Sequence, residues 1–222
     1  MTGAQAPLDL ILPRRRAMGR ADFVESPANA EAAALVAAWR RWPDRRLAIC
    51  GPEGSGKTHL AHVFMADSGA VLADAAALTA EDAPRLVAAG AAVVEDVDRA
   101  PPAAEAALFH LINLAASEGC ALLLTGRAAP ARWPLRLPDL ASRVSAMALA
   151  RLGPPDDALL AAVIGKALDD RGLKYETGVP AFLAARIERT FAAALEAVDR
   201  LDAASLAQGR AATRRLAAEI VD

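Results

Sequence analysis

Short apolar runs alternate with longer stretches of helical spacing through the first two thirds of the chain. Residues 47–50 (LAIC) predict a strand, followed by a glycine-bearing loop and a helix over about 57–66. Residues 70–72, 92–94 and 121–124 are further strand candidates, with 145–150 as a fifth, and residues 103–116 carry clear helical spacing. Buried strands that read as continuous apolar runs between helices predict a parallel sheet with helices on both faces. Upstream, residues 26–41 predict a helix, capped by Ser26 or Asn29 and ended by Trp42-Pro43. The pattern changes at Leu152-Gly153-Pro154-Pro155. Beyond it no strand-like run follows, only amphipathic helical stretches at 156–170, 180–189, 191–207 and 211–221, punctuated by Gly172, Gly178 and Gly209. The expected organisation is a tail over 1–20, an α/β domain over 21–152 and a small all-helical domain over 153–222.

Composition narrows the function classes. The 222 residues are 55% hydrophobic and 4% aromatic, with 58 alanines, which excludes intrinsic disorder and predicts a helix-rich core. The 25 Lys plus Arg against 27 Asp plus Glu leave a net charge of −2, which argues against a protein that coats nucleic acid. Two cysteines, Cys50 and Cys120, exclude a disulfide-rich scaffold and a four-thiolate zinc site, and both sit in apolar runs as small core residues. The first 16 residues place their apolar stretch before the charges of Arg14-Arg15-Arg16, unlike a secretory leader. No run approaches 18 apolar residues without a charge, so no membrane span is expected and the expected location is the cytoplasm.

The chemistry concentrates in Gly51-Pro52-Glu53-Gly54-Ser55-Gly56-Lys57-Thr58, which fits G-x-x-x-x-G-K-[ST] at every fixed position. Glycines allow a backbone whose N–H groups converge on a phosphate chain, and the following helix directs its positive end at the same charge. Lys57 is expected to reach the β- and γ-phosphates, and the Thr58 hydroxyl to ligate Mg²⁺. Only three of the 25 basic residues are lysines (Lys57, Lys166, Lys174), so Lys57 stands where a compact ammonium is needed and a planar guanidinium would not fit. The bland alternative is a glycine-rich turn that matches by chance. A magnesium shell also needs a carboxylate at the end of another strand. Residues 91–98 (AAVVEDVD) offer Glu95 at the metal position and Asp96 as the water-activating acid, or else a solvated strand end. His59 and His62, three apart, and His110 read as ordinary helix-face histidines, because no third ligand accompanies them.

In order along the chain, the segment Phe23-Val24-Glu25-Ser26-Pro27-Ala28-Asn29, the loop continued by Thr58-His59, the acids at 95–96, and residues 108–113 (LFHLIN), 122–126 (LLLTG) and 137–143 (LPDLASR) resemble the DnaA-related AAA+ family. The resemblance runs from about residue 5 to the end of the chain and is closest to the family's short regulatory branch, especially over 137–143. It implies a P-loop AAA+ parallel sheet with flanking helices and a helical lid. Bound ADP or ATP with Mg²⁺ would be held by Phe23, Val24, Gly51, Gly54, Ser55, Gly56, Lys57, Thr58 and His59. It also implies that Gln5, Leu8 and Leu10 (Q-x-x-L-x-L) dock the tail on the DNA polymerase sliding clamp. Arg143 would then act as an arginine finger on the nucleotide of a neighbouring DnaA initiator, triggering hydrolysis and repressing re-initiation of chromosome replication. Read from residues alone, Arg143 could equally pair with Asp139 one turn away. The chain's end at Asp222, after helices that a lid would use up, predicts no DNA-reading domain and hence no sequence-specific DNA binding.

The chain departs from the family pattern in three places. Glu95-Asp96 replaces the usual Asp-first order; Arg127 stands at the position of the sensor 1 acid; and Ala192 stands where the sensor 2 arginine belongs, with Arg189 one turn earlier as a substitute. The resulting expectation is a nucleotide-bound regulator with weak intrinsic ATPase, capable of nucleotide-dependent self-association. The competing class is a stand-alone AAA+ ATPase of the helicase-loader or transposition-helper type.

Overall fold

The computed structural model describes residues 23–221. Five strands, β1 (Arg46–Cys50), β2 (Val71–Asp74), β3 (Ala91–Glu95), β4 (Ala121–Gly126) and β5 (Ala148–Arg151), form one parallel sheet in the order β2-β3-β4-β1-β5. This order places β1 in the interior, between β4 and β5. The chain leaves β1 on one side and returns on the other, and such a switch point opens a crevice at the carboxyl ends of the strands. Register aligns those ends: Cys50 lies opposite Gly126, and Val94 opposite Leu124.

The strands' apolar residues divide between two cores as the pleat requires. Leu122 and Leu124 pack with Leu108, Leu111 and Ile112 of α4 (Pro102–Ser117), while Leu123 joins Leu47, Ile49, Val93 and Phe64 on the opposite face. α2 (Lys57–Ser68) carries Phe64, which contacts both Trp39 and Trp42 at ring distances of 5.9 and 5.0 Å.

Three sequence expectations need correction here. The helix expected over 26–41 is shorter: α1 is Ala30–Ala37, followed by a 3-10 turn at Trp39–Arg41. Asn29 turns its side chain backwards instead of capping α1: it donates to the Val24 carbonyl (2.9 Å) and accepts from the Ser26 amide (2.9 Å), which holds 24–29 as a non-helical turn. The fifth strand begins at Ala148, because residues up to Ser145 belong to α5 (Pro138–Ser145), whose Leu140 and Val144, one turn apart, face the core. An additional helix, α3 (Asp82–Ala88), precedes β3.

The remaining helices, α6 (Asp157–Asp169), α7 (Val179–Ala184), α8 (Phe191–Gln208) and α9 (Arg214–Val221), enclose a third core of Leu160, Ile164, Leu183, Val198, Leu201 and Leu216. Asp156 caps α6 by accepting from the Leu159 amide at 2.7 Å, and Thr190 caps α8 through the Ala193 amide at 3.1 Å. Strand structure among them is confined to an isolated bridge between Tyr175 and Ala212. Among the described residues no helix is long and apolar enough to cross a membrane.

Candidate nucleotide-binding site

The loop between β1 and α2 has a backbone that explains its glycines. Gly54 (φ 72°) and Gly56 (φ 94°) are both left-handed, and Gly56 is the residue that opens α2. Lys57 is only 8% exposed, and its Nζ donates to the carbonyls of Gly51 (2.8 Å) and Pro52 (2.9 Å), so the ammonium lies inside the curl of its own loop. Ser55 Oγ is buried with no hydrogen-bond partner among the described residues. A ring of glycine backbone, an inward lysine and an unsatisfied buried hydroxyl fit a phosphate chain.

Burial lowers the Lys57 pKa, and Asp96, Asp98, Glu53 and Glu95 pull it back up in that order of strength. Below the ordinary lysine range there is therefore a pH window in which the folded chain binds fewer protons than the unfolded one. In that window stability should rise with pH. Nucleotide affinity should fall in the same window, because the neutral amine no longer attracts phosphate. Titration of a fluorescent nucleotide between neutral and alkaline pH checks this, and affinity that stays flat up to the ordinary lysine pKa would contradict it.

The acids after β3 are organised by Thr125 and Arg99, which sequence reasoning did not single out, and by Arg127, whose partners it did not foresee. Glu95 ends β3 and Asp96 follows in the left-handed region at φ 54°, which is uncommon outside glycine but tolerated by Asp. The Asp96 amide donates to Thr125 Oγ1 on β4 (3.1 Å), and the Asp96 carboxylate lies 3.8 Å from the Arg99 guanidinium. Asp98 accepts from the Arg127 amide at 3.1 Å. The Arg127 guanidinium reaches back over the phosphate loop to Glu53, at 3.8 Å. Thr58 is exposed at the start of α2. No cluster of three or more metal-ligating side chains occurs among the described residues.

At the other edge of the site, Phe23 meets His59 of α2 ring to ring (5.3 Å, 84° between planes). Val24 follows immediately, its carbonyl held by Asn29. Of the candidate nucleotide-binding residues, Phe23 thus contacts His59 of the helix that follows the phosphate loop, and Val24 is its chain neighbour. The lid closes on the same loop. The Phe191 amide donates to the Gly54 carbonyl (3.4 Å), a Cβ on Gly54 would stand 2.6 Å from Thr190 Cβ, and one on Gly56 would stand 3.0 Å from the Phe191 ring. Ala192 is exposed in the first turn of α8, while Arg189 is paired with Asp157 at 3.1 Å.

Arg143 lies apart from this site, exposed on α5. Its guanidinium sits over the Phe109 ring of α4 at 5.3 Å, in place of the considered pairing with Asp139. Gln5, Leu8 and Leu10 lie outside the described residues.

Fold and site together define a P-loop AAA+ nucleotide-binding module with a helical lid. Residues 156–218 match the family described as "Hda, lid domain". Domain III of the replication initiation protein DnaA from Thermotoga maritima superposes with a TM-score of 0.77 at 19% identity, covering 95% of this chain and 98% of that one. AMPPCP-bound DnaA from Aquifex aeolicus gives 0.65 at 15% identity, over 81% of this chain and 63% of the longer DnaA chain. The Thermotoga maritima RuvB Holliday junction branch migration motor gives 0.72 at 19% identity, over 92% and 71% of the two chains. At these identities the solved structures establish the fold, that of a DnaA-like AAA+ module, and the lid-family match extends over residues 156–218.

Proposed function

We propose that the protein is a clamp-dependent regulator of the DnaA initiator, which stimulates hydrolysis of DnaA-bound ATP and so represses re-initiation of replication in the cytoplasm. The observation that carries this reading is an Hda-type lid on a DnaA-like AAA+ fold. The tail residues Gln5, Leu8 and Leu10 dock on the sliding clamp, and the α/β part (21–152) and lid (153–222) act as one nucleotide-dependent unit. ADP or ATP is held by the phosphate loop and the Phe23–His59 edge, and Mg²⁺ by Thr58 and Glu95. Two features favour a weak intrinsic ATPase. Asp96 is engaged with Arg99, and a cation, Arg127, occupies the position of the sensor 1 acid.

The experiment measures hydrolysis of DnaA-bound ATP with clamp and DNA present. Wild type should accelerate it, and a variant lacking residues 1–12 should lose most of the effect. No acceleration by wild type rejects the function. Full acceleration by the shortened chain rejects clamp docking through the tail. Rapid multiple turnover of ATP by the chain alone would instead favour a stand-alone ATPase.

A further inference from the structure

α4 carries a carboxylate where packing alone calls for an apolar side chain. Glu105 is 1% exposed, and no cation pairs with it among the described residues. Its charge is met by main-chain donors 31 and 32 residues away. The Arg136 amide donates to Oε1 (3.1 Å) and Oε2 (2.9 Å), and the Leu137 amide donates to Oε2 (2.8 Å). A buried carboxylate survives only when hydrogen bonds replace its lost water, so these contacts hold the 136–137 backbone firmly.

What they hold is the start of α5. Leu137 precedes the helix, and its carbonyl accepts from the Ala141 amide at 3.0 Å, while Pro138 opens the first turn. Phe109, four residues beyond Glu105 and therefore on the same stripe of α4, lies under the Arg143 guanidinium. α4 thus grips α5 at both ends, by its backbone at the entrance and by its arginine at the exit. Leu140 and Val144 fill the core between these two points.

We propose that Glu105 is a positioning residue: it fixes the entrance of α5 and thereby the aim of Arg143 at the terminal phosphate of a nucleotide held by a second protein molecule. The task given to Arg143 rests on the proposed function; the anchoring of α5 does not.

The test pairs amide hydrogen exchange on the full chain with hydrolysis of DnaA-bound ATP, for wild type, Glu105→Ala and Glu105→Gln. In Glu105→Ala, exchange over residues 136–145 should accelerate about tenfold or more, with exchange in α2 and α8 and the chain's own nucleotide affinity unchanged. The maximal stimulated rate should fall about ten- to a hundredfold, while the concentration giving half of it changes little, because aim and not docking is lost. Glu105→Gln keeps one acceptor oxygen and should fall between the two, and it keeps the test open if the alanine variant does not fold. Unchanged exchange at 136–145 overturns the proposal whatever DnaA does. Acceleration spread through the whole chain, with rate loss tracking instability, overturns it by making Glu105 merely structural. Faster local exchange with full stimulation removes the link to Arg143. Wild type failing to stimulate sinks the proposed function, and the exchange measurement still decides the anchoring.

Discussion

Arg143→Ala should lower the stimulated hydrolysis of DnaA-bound ATP by about 10³–10⁵-fold, the range an arginine finger supplies in comparable switches. The same variant should fold and bind its own nucleotide as wild type does. Arg143 lies outside the chain's phosphate loop, and α5 is held to the sheet by Leu140 and Val144. The stacking on Phe109 that it would forfeit is worth only about 0.5–1 kcal/mol at an exposed site. Arg143→Lys should recover little, because an ammonium retains the charge but not the planar fork that spans phosphate oxygens. Single-turnover hydrolysis under saturating regulator separates this effect from weakened docking. A loss of tenfold or less would remove Arg143 from the chemistry.

Gly54→Ala should cost about 2–5 kcal/mol in stability, from left-handed strain and overpacking together. It should also weaken nucleotide binding about tenfold or more, since each 1.4 kcal/mol lost at the loop is a factor of ten. The new methyl would sit 2.6 Å from Thr190 Cβ and 2.8 Å from its Cγ2, so the cap of α8 must lift off the phosphate loop. Gly69→Ala is the matched control. Gly69 has nearly the same backbone (φ 74° against 72°) but nothing within 4 Å of its added Cβ. It should lose only the strain, about 1–2 kcal/mol, with nucleotide affinity intact. Denaturant unfolding with nucleotide titration of both variants decides the matter. Equal losses would show that backbone strain, and not the lid contact, governs the site.

The pair also shows how far sequence reasoning reaches. The glycines of the loop were legible because their spacing encodes a local backbone need. The reason Gly54 tolerates no side chain was not, because Thr190 lies 136 positions away and arrives only when the lid folds. α5 is not legible in the sequence because only Leu140 and Val144 mark its buried face, too few for a period to emerge. The Asp96–Thr125 and Asp98–Arg127 contacts are not legible in the sequence for a similar reason. Each partnership spans 29 residues, and the β3–β4 register creates it.

By itself, the sequence determined the alternation of strand and helix, the glycine-lysine phosphate loop, the acids after β3 and the helical character of everything beyond residue 153. All of these are written in side-chain periodicity or in the conformational demands of neighbouring residues. Only the tertiary structure decided that the lid's Thr190 and Phe191 rest on the phosphate loop, that Arg127 turns to Glu53, and that a buried glutamate holds the helix bearing Arg143. Those contacts depend on strand order, crossover and the docking of the lid, which bring together residues whose local sequences carry no record of one another.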